Sequence, residues 1–175
     1  MAVEMEKFVQ ERHRESAEWQ DVKKVADLLL AELNGEETYK LIVKANRPKT
    51  ASSQVQAAFR PAATALGFQS EKTGLFAESI RGLRPDYYMA IGATDGILLE
   101  VERGKTTTNN MDLLDFWKCH LCVKAHYLFL LVPKELKHND GMSPKREFQS
   151  VKRRLEPFFK EHNYTNVRGL VVFGY

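Results

Sequence analysis

Long apolar runs are missing from this chain. No stretch of roughly 18 apolar residues occurs anywhere in it, so no membrane-spanning helix is expected. The first residues, MAVEMEKFVQ, are charged and lack an apolar stretch, so they do not read as a secretory leader. Cysteine is scarce: Cys119 and Cys122 are the only two, too few for a disulfide framework. A reducing, cytoplasmic environment is the expectation. Internal repeats and low-complexity segments are also missing. What is present is ordinary for a folded domain: 43% hydrophobic and 28% charged residues over 175 positions. A chain of this length reads as a single domain, 1–175, able to bury a sizeable core.

The net charge of +3 conceals an asymmetry. Residues 1–37 carry five Lys/Arg against ten Asp/Glu, and residues 38–175 carry 21 against 13. The first segment reads as an acidic, helical N-terminal extension. The remainder is basic, which suits a polyanionic partner, although a solvated mixed surface explains the same balance.

Hydrophobic periodicity places the elements. Trp19, Val22, Val25, Ala26, Leu29 and Leu33 recur at helical spacing, and Asn34-Gly35 stops the run. Residues 38–51 read as a short apolar run followed by a basic connector. A helix over 52–66 is expected, capped by Ser52 or Ser53 and ended by Gly67. Residues 68–80 read as extended, and 84–91 and 97–102 as two strands of a hairpin joined by the turn 92–96, with Asp95-Gly96 as its turn chemistry. Residues 109–124 return to helix, capped by Asn109 or Asn110, with Leu114, Trp117 and Leu121 on one face. The unbroken run Tyr127-Leu-Phe-Leu-Leu-Val132 suits a strand buried on both faces. Phe148, Val151 and Leu155 mark a further helix, and 167–173 a last strand. An antiparallel start followed by helical crossovers implies an α/β fold: a mixed central sheet flanked by helices.

Chemistry concentrates in Leu83–Lys105, LRPDYYMAIGATDGILLEVERGK. Strand alternation points Glu100 and Glu102 one way, and counting out from the turn sets Asp86 near their level. Three acids so close repel one another unless a cation intervenes. Mg²⁺ takes such oxygen ligands together with water and substrate phosphate, and phosphodiester hydrolysis is the chemistry it would serve. The alternative is a solvent-facing charged sheet surface, with Arg81, Arg84 and Arg103 as counter-ions.

Pro85-Asp86…Glu100-Val101-Glu102 resembles the PD-(D/E)xK nuclease superfamily, whose core has this order of elements. Glu102 stands where the superfamily usually has Lys. That variant, with Arg103-Gly104 following, is similar to the BamHI and BglII branch of type II restriction endonucleases. The resemblance covers roughly residues 50–175 and leaves the helix at 17–33 unexplained. It implies a restriction-endonuclease-like core and a Mg²⁺-dependent endodeoxyribonuclease, with Mn²⁺ able to substitute. Asp86 and Glu100 would ligate metal, the Val101 carbonyl would complete the shell, and Glu102 would serve as general base or water orienter. Glu78 is the better candidate for a further upstream acid, ahead of Glu71. Lys105 is a possible substitute cation, though of the wrong strand parity.

Double-stranded DNA is the expected partner. Arg47, Lys49, Ser53 and Gln54 sit at a helix start that suits phosphate, and Arg84, Arg103, Lys105 and Asn109 surround the acids in sequence. Symmetric cutting of a duplex requires a two-fold arrangement, so a homodimer is expected. Lys145, Arg146, Lys152, Arg153 and Arg154 form a second basic group, which also reads as a solvated helix face. Cys119-His120-Leu121-Cys122 with His126 lies inside an amphipathic helix, which favours packing over zinc. A non-catalytic module keeping the nuclease fold, or a nuclease of RNA or single strands, remains the alternative.

Overall fold

A computed structural model describes residues 2–47, 50–70, 84–104, 106–136, 143–163 and 165–175. Six strands form one mixed sheet: β1 (Glu4–Val9), β2 (Gln69–Ser70), β3 (Tyr87–Ile91), β4 (Asp95–Val101), β5 (Tyr127–Val132) and β6 (Gly169–Gly174). Their spatial order is β1-β6-β5-β4-β3-β2. The β4–β5 and β5–β6 pairs are parallel, and the other three pairs are antiparallel. Helices α1 (Ala17–Leu33), α2 (Glu36–Ala45), α3 (Ser52–Ala65), α4 (Met111–Leu121) and α5 (Glu147–Leu155) cover both faces. No helix among the described residues is long and apolar enough to cross a membrane.

Side-chain alternation divides the core in two. Ile97, Leu99, Val101, Tyr127, Phe129, Leu131, Val171 and Phe173 point to one face and pack against α1, α2 and α3. Leu98, Leu128, Leu130, Val132, Leu170 and Val172 point to the other, where α4 and α5 supply Phe116, Cys119, Phe148, Val151 and Leu155. The run 127–132 is apolar throughout because β5 lies between two parallel neighbours and is covered on both sides. Burying each of its large side chains contributes about 1.5–3 kcal/mol.

Helix α1 begins where the Ser16 hydroxyl accepts from the Trp19 N–H at 3.1 Å. It ends at Asn34, whose amide exchanges hydrogen bonds with the Val3 backbone at 2.8 and 3.2 Å and so fixes β1 beside it. The segment 1–37 thus contains an edge strand as well as a helix. Met5 and Val9 pack on the first core and Phe8 on the second. Glu4, Glu6 and Lys7 form ion pairs with Lys134, Lys152 and Asp27, a charged edge that discourages pairing with another chain.

Other expectations need correction. Residues 36–45 are helical, not an apolar run: Tyr39, Ile42 and Ala45 face inward at helical spacing, but exposed Leu41 and Val43 fill the gaps and hide the period. Helix α3 has Ala51 at its cap position, and neither Ser52 nor Ser53 caps it. Gly67 does end it, at φ 93°. The strand expected from 84 begins at Tyr87. Asn110 stands at the start of α4 in the left-handed conformation, and its side-chain oxygen accepts from Arg154 instead of capping. Leu114, Trp117 and Leu121 do share a face of α4, but it is the outer one, 51%, 45% and 55% exposed. The face turned inward carries Asp112, Asp115, Phe116 and Cys119.

Gly169 lets the first strand-end layer close. A Cβ there would lie 2.6 Å from the Trp19 ring and 3.1 Å from the Tyr127 ring. Gly169→Ala is expected to destabilise the fold by about 1–3 kcal/mol in urea unfolding, because both rings are buried and must shift.

Candidate active site

The β3–β4 register pairs Tyr87 with Leu99 and Ile91 with Asp95. One step further out, Asp86 lies beside Glu100. The Asp86 N–H donates to Glu100 Oε2 at 3.2 Å, and the Val101 N–H donates to Asp86 Oδ2 at 2.8 Å. Helix α3 reaches the same point: Gln56 Nε2 donates to Asp86 Oδ1 at 2.8 Å. The expected proximity of Asp86 and Glu100 is therefore formed.

Glu100 shares strand parity with Leu98 and faces α4. Lys118 Nζ donates to Glu100 Oε1 at 3.1 Å and lies 2.8 Å from Asp115 Oδ1. The second contact is an ion pair, since neither Asp115 oxygen has an aligned hydrogen-bond donor. Glu102 also turns to α4, close enough to Asp115 for that carboxylate to disfavour its charged form. Sequence reasoning missed Asp115 and Lys118. The signal was available: Asp112, Asp115, Phe116 and Cys119 form a stripe at helical spacing. The apolar stripe Leu114-Trp117-Leu121 competes with it, and the more hydrophobic of the two is the one left outside.

Four carboxyl groups and one ammonium thus cluster between β3, β4 and α4, with Asp86, Glu102 and Lys118 half-buried. Glu100 is 2% exposed and Asp115 0%. Burial raises the pKa of Asp86, Glu100, Glu102 and Asp115 alike. For Glu102, burial and the neighbouring Asp115 push it to about 8. Burial pulls Lys118 down, but Glu100 and Asp115 outweigh this and hold its pKa above the ordinary value. The charged network is anchored from behind, where the Tyr175 hydroxyl donates to the Glu102 carbonyl at 2.6 Å.

Among the described residues, no three Asp, Glu, His or Cys side chains converge as a ready-made metal cage. The smaller set of two carboxylates and the Val101 carbonyl needs no third acid, because Mg²⁺ commonly takes one or two carboxylates and completes its shell with water. The donor chemistry fits: all ligands would be hard oxygens. Each hydrogen-bonded oxygen of Asp86 and Glu100 keeps lone-pair capacity.

The residues expected to meet nucleic acid are only partly gathered. Arg47, Ser53, Gln54, Arg84 and Asn109 are exposed. The Arg103 guanidinium is no counter-ion to the acids. It donates to the Arg47 carbonyl and so holds the basic connector beside the end of β4. Lys49, Glu71, Glu78, Arg81 and Lys105 lie outside the described residues. The second basic group is largely occupied: Lys145 pairs with Glu147, Lys152 with Glu6, and Arg154 with Asp112. Cys119 and Cys122 are free and buried, and burial pushes the Cys119 thiol well up.

No family model matches the sequence, and comparison with curated proteins gives no match. Among solved structures, the chain is similar to the restriction endonuclease BglII in a crystal structure with a DNA 16-mer. The alignment has a TM-score of 0.46 and 10% sequence identity, and covers 99% of this chain and 78% of that one.

A raised carboxyl pKa contributes stability that is complete below the unfolded-state value and is lost as pH rises through the folded-state value. For Glu102 that window runs from 4.5 to about 8. In metal-free buffer the melting temperature is expected to fall as pH rises through this window, and Glu102→Gln to flatten the decline. Differential scanning calorimetry at fixed ionic strength checks both.

Proposed function

We propose that this chain is a Mg²⁺-dependent endonuclease that hydrolyses phosphodiester bonds in double-stranded DNA, of the PD-(D/E)xK kind, with Mn²⁺ able to replace Mg²⁺. The observation that carries the reading is the adjacency of Asp86 and Glu100 across β3 and β4, with Glu102 two residues further on. The mixed sheet with helices on both faces is consistent with it. A homodimer acting on the two strands of a duplex belongs to the same proposal.

Asp86, Glu100 and the Val101 carbonyl would hold the ion, which when bound supplies the charge that polarises the scissile phosphate and acidifies a water molecule. The remaining work falls to the chain. Gln56 and the Val101 N–H each take one Asp86 oxygen and fix the plane of its carboxylate. Glu102, with a pKa near 8, exchanges its proton close to neutral pH, as a general base for water must. Lys118 brings to the site from α4 the cation that the third motif position lacks. From its place on Glu100 it can stabilise charge developing on the phosphate oxygens. Cleavage of this kind leaves 5′-phosphate and 3′-hydroxyl ends.

One observation favours a second reading. Lys118 already pairs with both Glu100 and Asp115 by direct contact, as in a buried network that only supports structure. A non-catalytic DNA-binding or partner-subunit module would keep such a network. Plasmid nicking with Mg²⁺ decides between the two. The endonuclease reading predicts cleavage by the wild type, and a loss of about a hundredfold or more in Asp86→Asn and Glu100→Gln, with circular dichroism unchanged. An inactive wild type, or variants that cut as well as it does, would favour the module.

A further inference from the structure

At the end of the sheet away from the acids, three strand termini build a basic cavity. His126 precedes β5, Arg168 precedes β6, and Arg12 and His13 follow β1. With Thr165 and Asn166 they line a space of about 270 Å³. From Asp95, at the start of β4, to Glu100 is five residues, or roughly 17 Å of extended strand. The cavity is therefore separate from the candidate active site.

We propose that this cavity is a binding site for a phosphate group, carried by a small phosphomonoester or by the 5′-phosphate end of a nucleic acid strand.

Its charges are organised, not merely clustered. Asp95 is 6% exposed and spends both carboxylate oxygens within the site, one on His126 Nδ1 and the other on Arg168 Nη1 at 3.0 Å. The acid thereby orients the imidazole and the guanidinium, and leaves Nε2 as the ring's remaining hydrogen-bonding atom. Gln10, also 6% exposed, fixes the opposite wall. Its amide donates to the Thr165 carbonyl at 2.9 Å and the Val167 carbonyl at 2.7 Å, while its oxygen accepts from Arg12 Nε at 3.1 Å. His120 holds Asn166 through the backbone N–H at 3.1 Å and the side-chain amide at 3.0 Å. The Arg168 N–H donates to the His126 carbonyl at 2.7 Å, so both strand entrances are locked together.

The local field is positive. Burial, Arg168 and Arg12 together hold the His13 pKa below its ordinary value, against a smaller opposing effect of Glu18. Two guanidinium groups and the Asn166 amide present donors from several directions, with the His13 and His126 rings beside them, while the Thr165 hydroxyl is spent on the Val167 carbonyl at 3.3 Å. A tetrahedral anion of high charge uses such a set better than a planar carboxylate does. The volume admits a phosphate with a small substituent, but not a duplex. The Asp95–His126 pair alone would suggest a positioned base. Arg168 on the same carboxylate argues instead for anion binding.

The test is NMR titration of the full chain at constant ionic strength in Mg²⁺-free buffer. The probes are inorganic phosphate, a nucleoside 5′-monophosphate, short oligonucleotides with and without a 5′-phosphate, and acetate as control. Saturable shifts at residues 10–13, 126 and 165–168 are expected, with little change at Glu100 and Glu102. Arg12→Gln, at an exposed position, should weaken binding about tenfold, and Arg168→Gln more. Binding of phosphate and monophosphate alone identifies a small ligand; preference for the 5′-phosphorylated strand identifies a strand end. Acetate binding as well as phosphate, shifts that do not saturate, or an affinity unchanged in Arg12→Gln would overturn the proposal.

Discussion

The contact on which this molecule depends is the Lys118 ammonium lying against Glu100 and Asp115. It joins the middle of the sheet to the inner face of α4, where hydrophobic packing alone would exclude both acids. Removing a charge from water costs several kcal/mol, and only close opposite charge recovers it. The exchange explains why α4 leaves Leu114 and Trp117 in solvent while Asp112 and Asp115 go inside. Asp112 is served in the same way, by Arg154 from α5 at 2.9 Å. Two helices are therefore docked on this face by ion pairs as well as by Phe116, Phe148 and Val151.

That arrangement is short of positive charge. Four carboxyl groups surround one ammonium, and burial raises the pKa of each, with mutual repulsion adding to it at Asp86, Glu100 and Glu102. On the proposed reading, a metal ion entering such a site would displace protons. The same deficit explains why Glu102 and Lys118 belong together. Lys118, from the helix that follows β4, supplies its ammonium to Glu100.

The positions of Asp86 and Glu100 were legible in the sequence because a hairpin register can be counted from its turn. The expected turn at 92–96 set that count only to within a residue or two: the turn is 92–94, and Asp95 and Gly96 already pair with Ile91 and Ala90. The strand 127–132 and the helix 17–33 were legible from unbroken apolarity and clean periodicity. The rest was hidden for specific reasons. β1 is half-buried at an edge, so its alternation of Met5, Lys7 and Val9 with Glu4, Glu6 and Phe8 is blurred by charge. Helix α2 is masked by exposed Leu41 and Val43. Asp115 and Lys118 were overlooked because a polar residue inside a helix reads as surface until its partner on another element is known, and the competing stripe Leu114-Trp117-Leu121 is the more hydrophobic. The basic balance of residues 38–175 also meant less than it suggested. Lys134, Lys145, Lys152 and Arg154 all have acidic partners, so the charge that matters is local.

The sheet thus has an acidic end built by β3, β4 and α4 and a basic end built where β1, β5 and β6 meet the loops. The acidic end carries the functional claim, and metal binding tests it most directly. Isothermal titration calorimetry of Mn²⁺ into the full chain, in two buffers of different ionisation enthalpy near neutral pH, reports affinity and proton release together. The account predicts saturable binding with net release of protons, abolished in Asp86→Asn and Glu100→Gln. No binding, or binding that both variants retain, would contradict it.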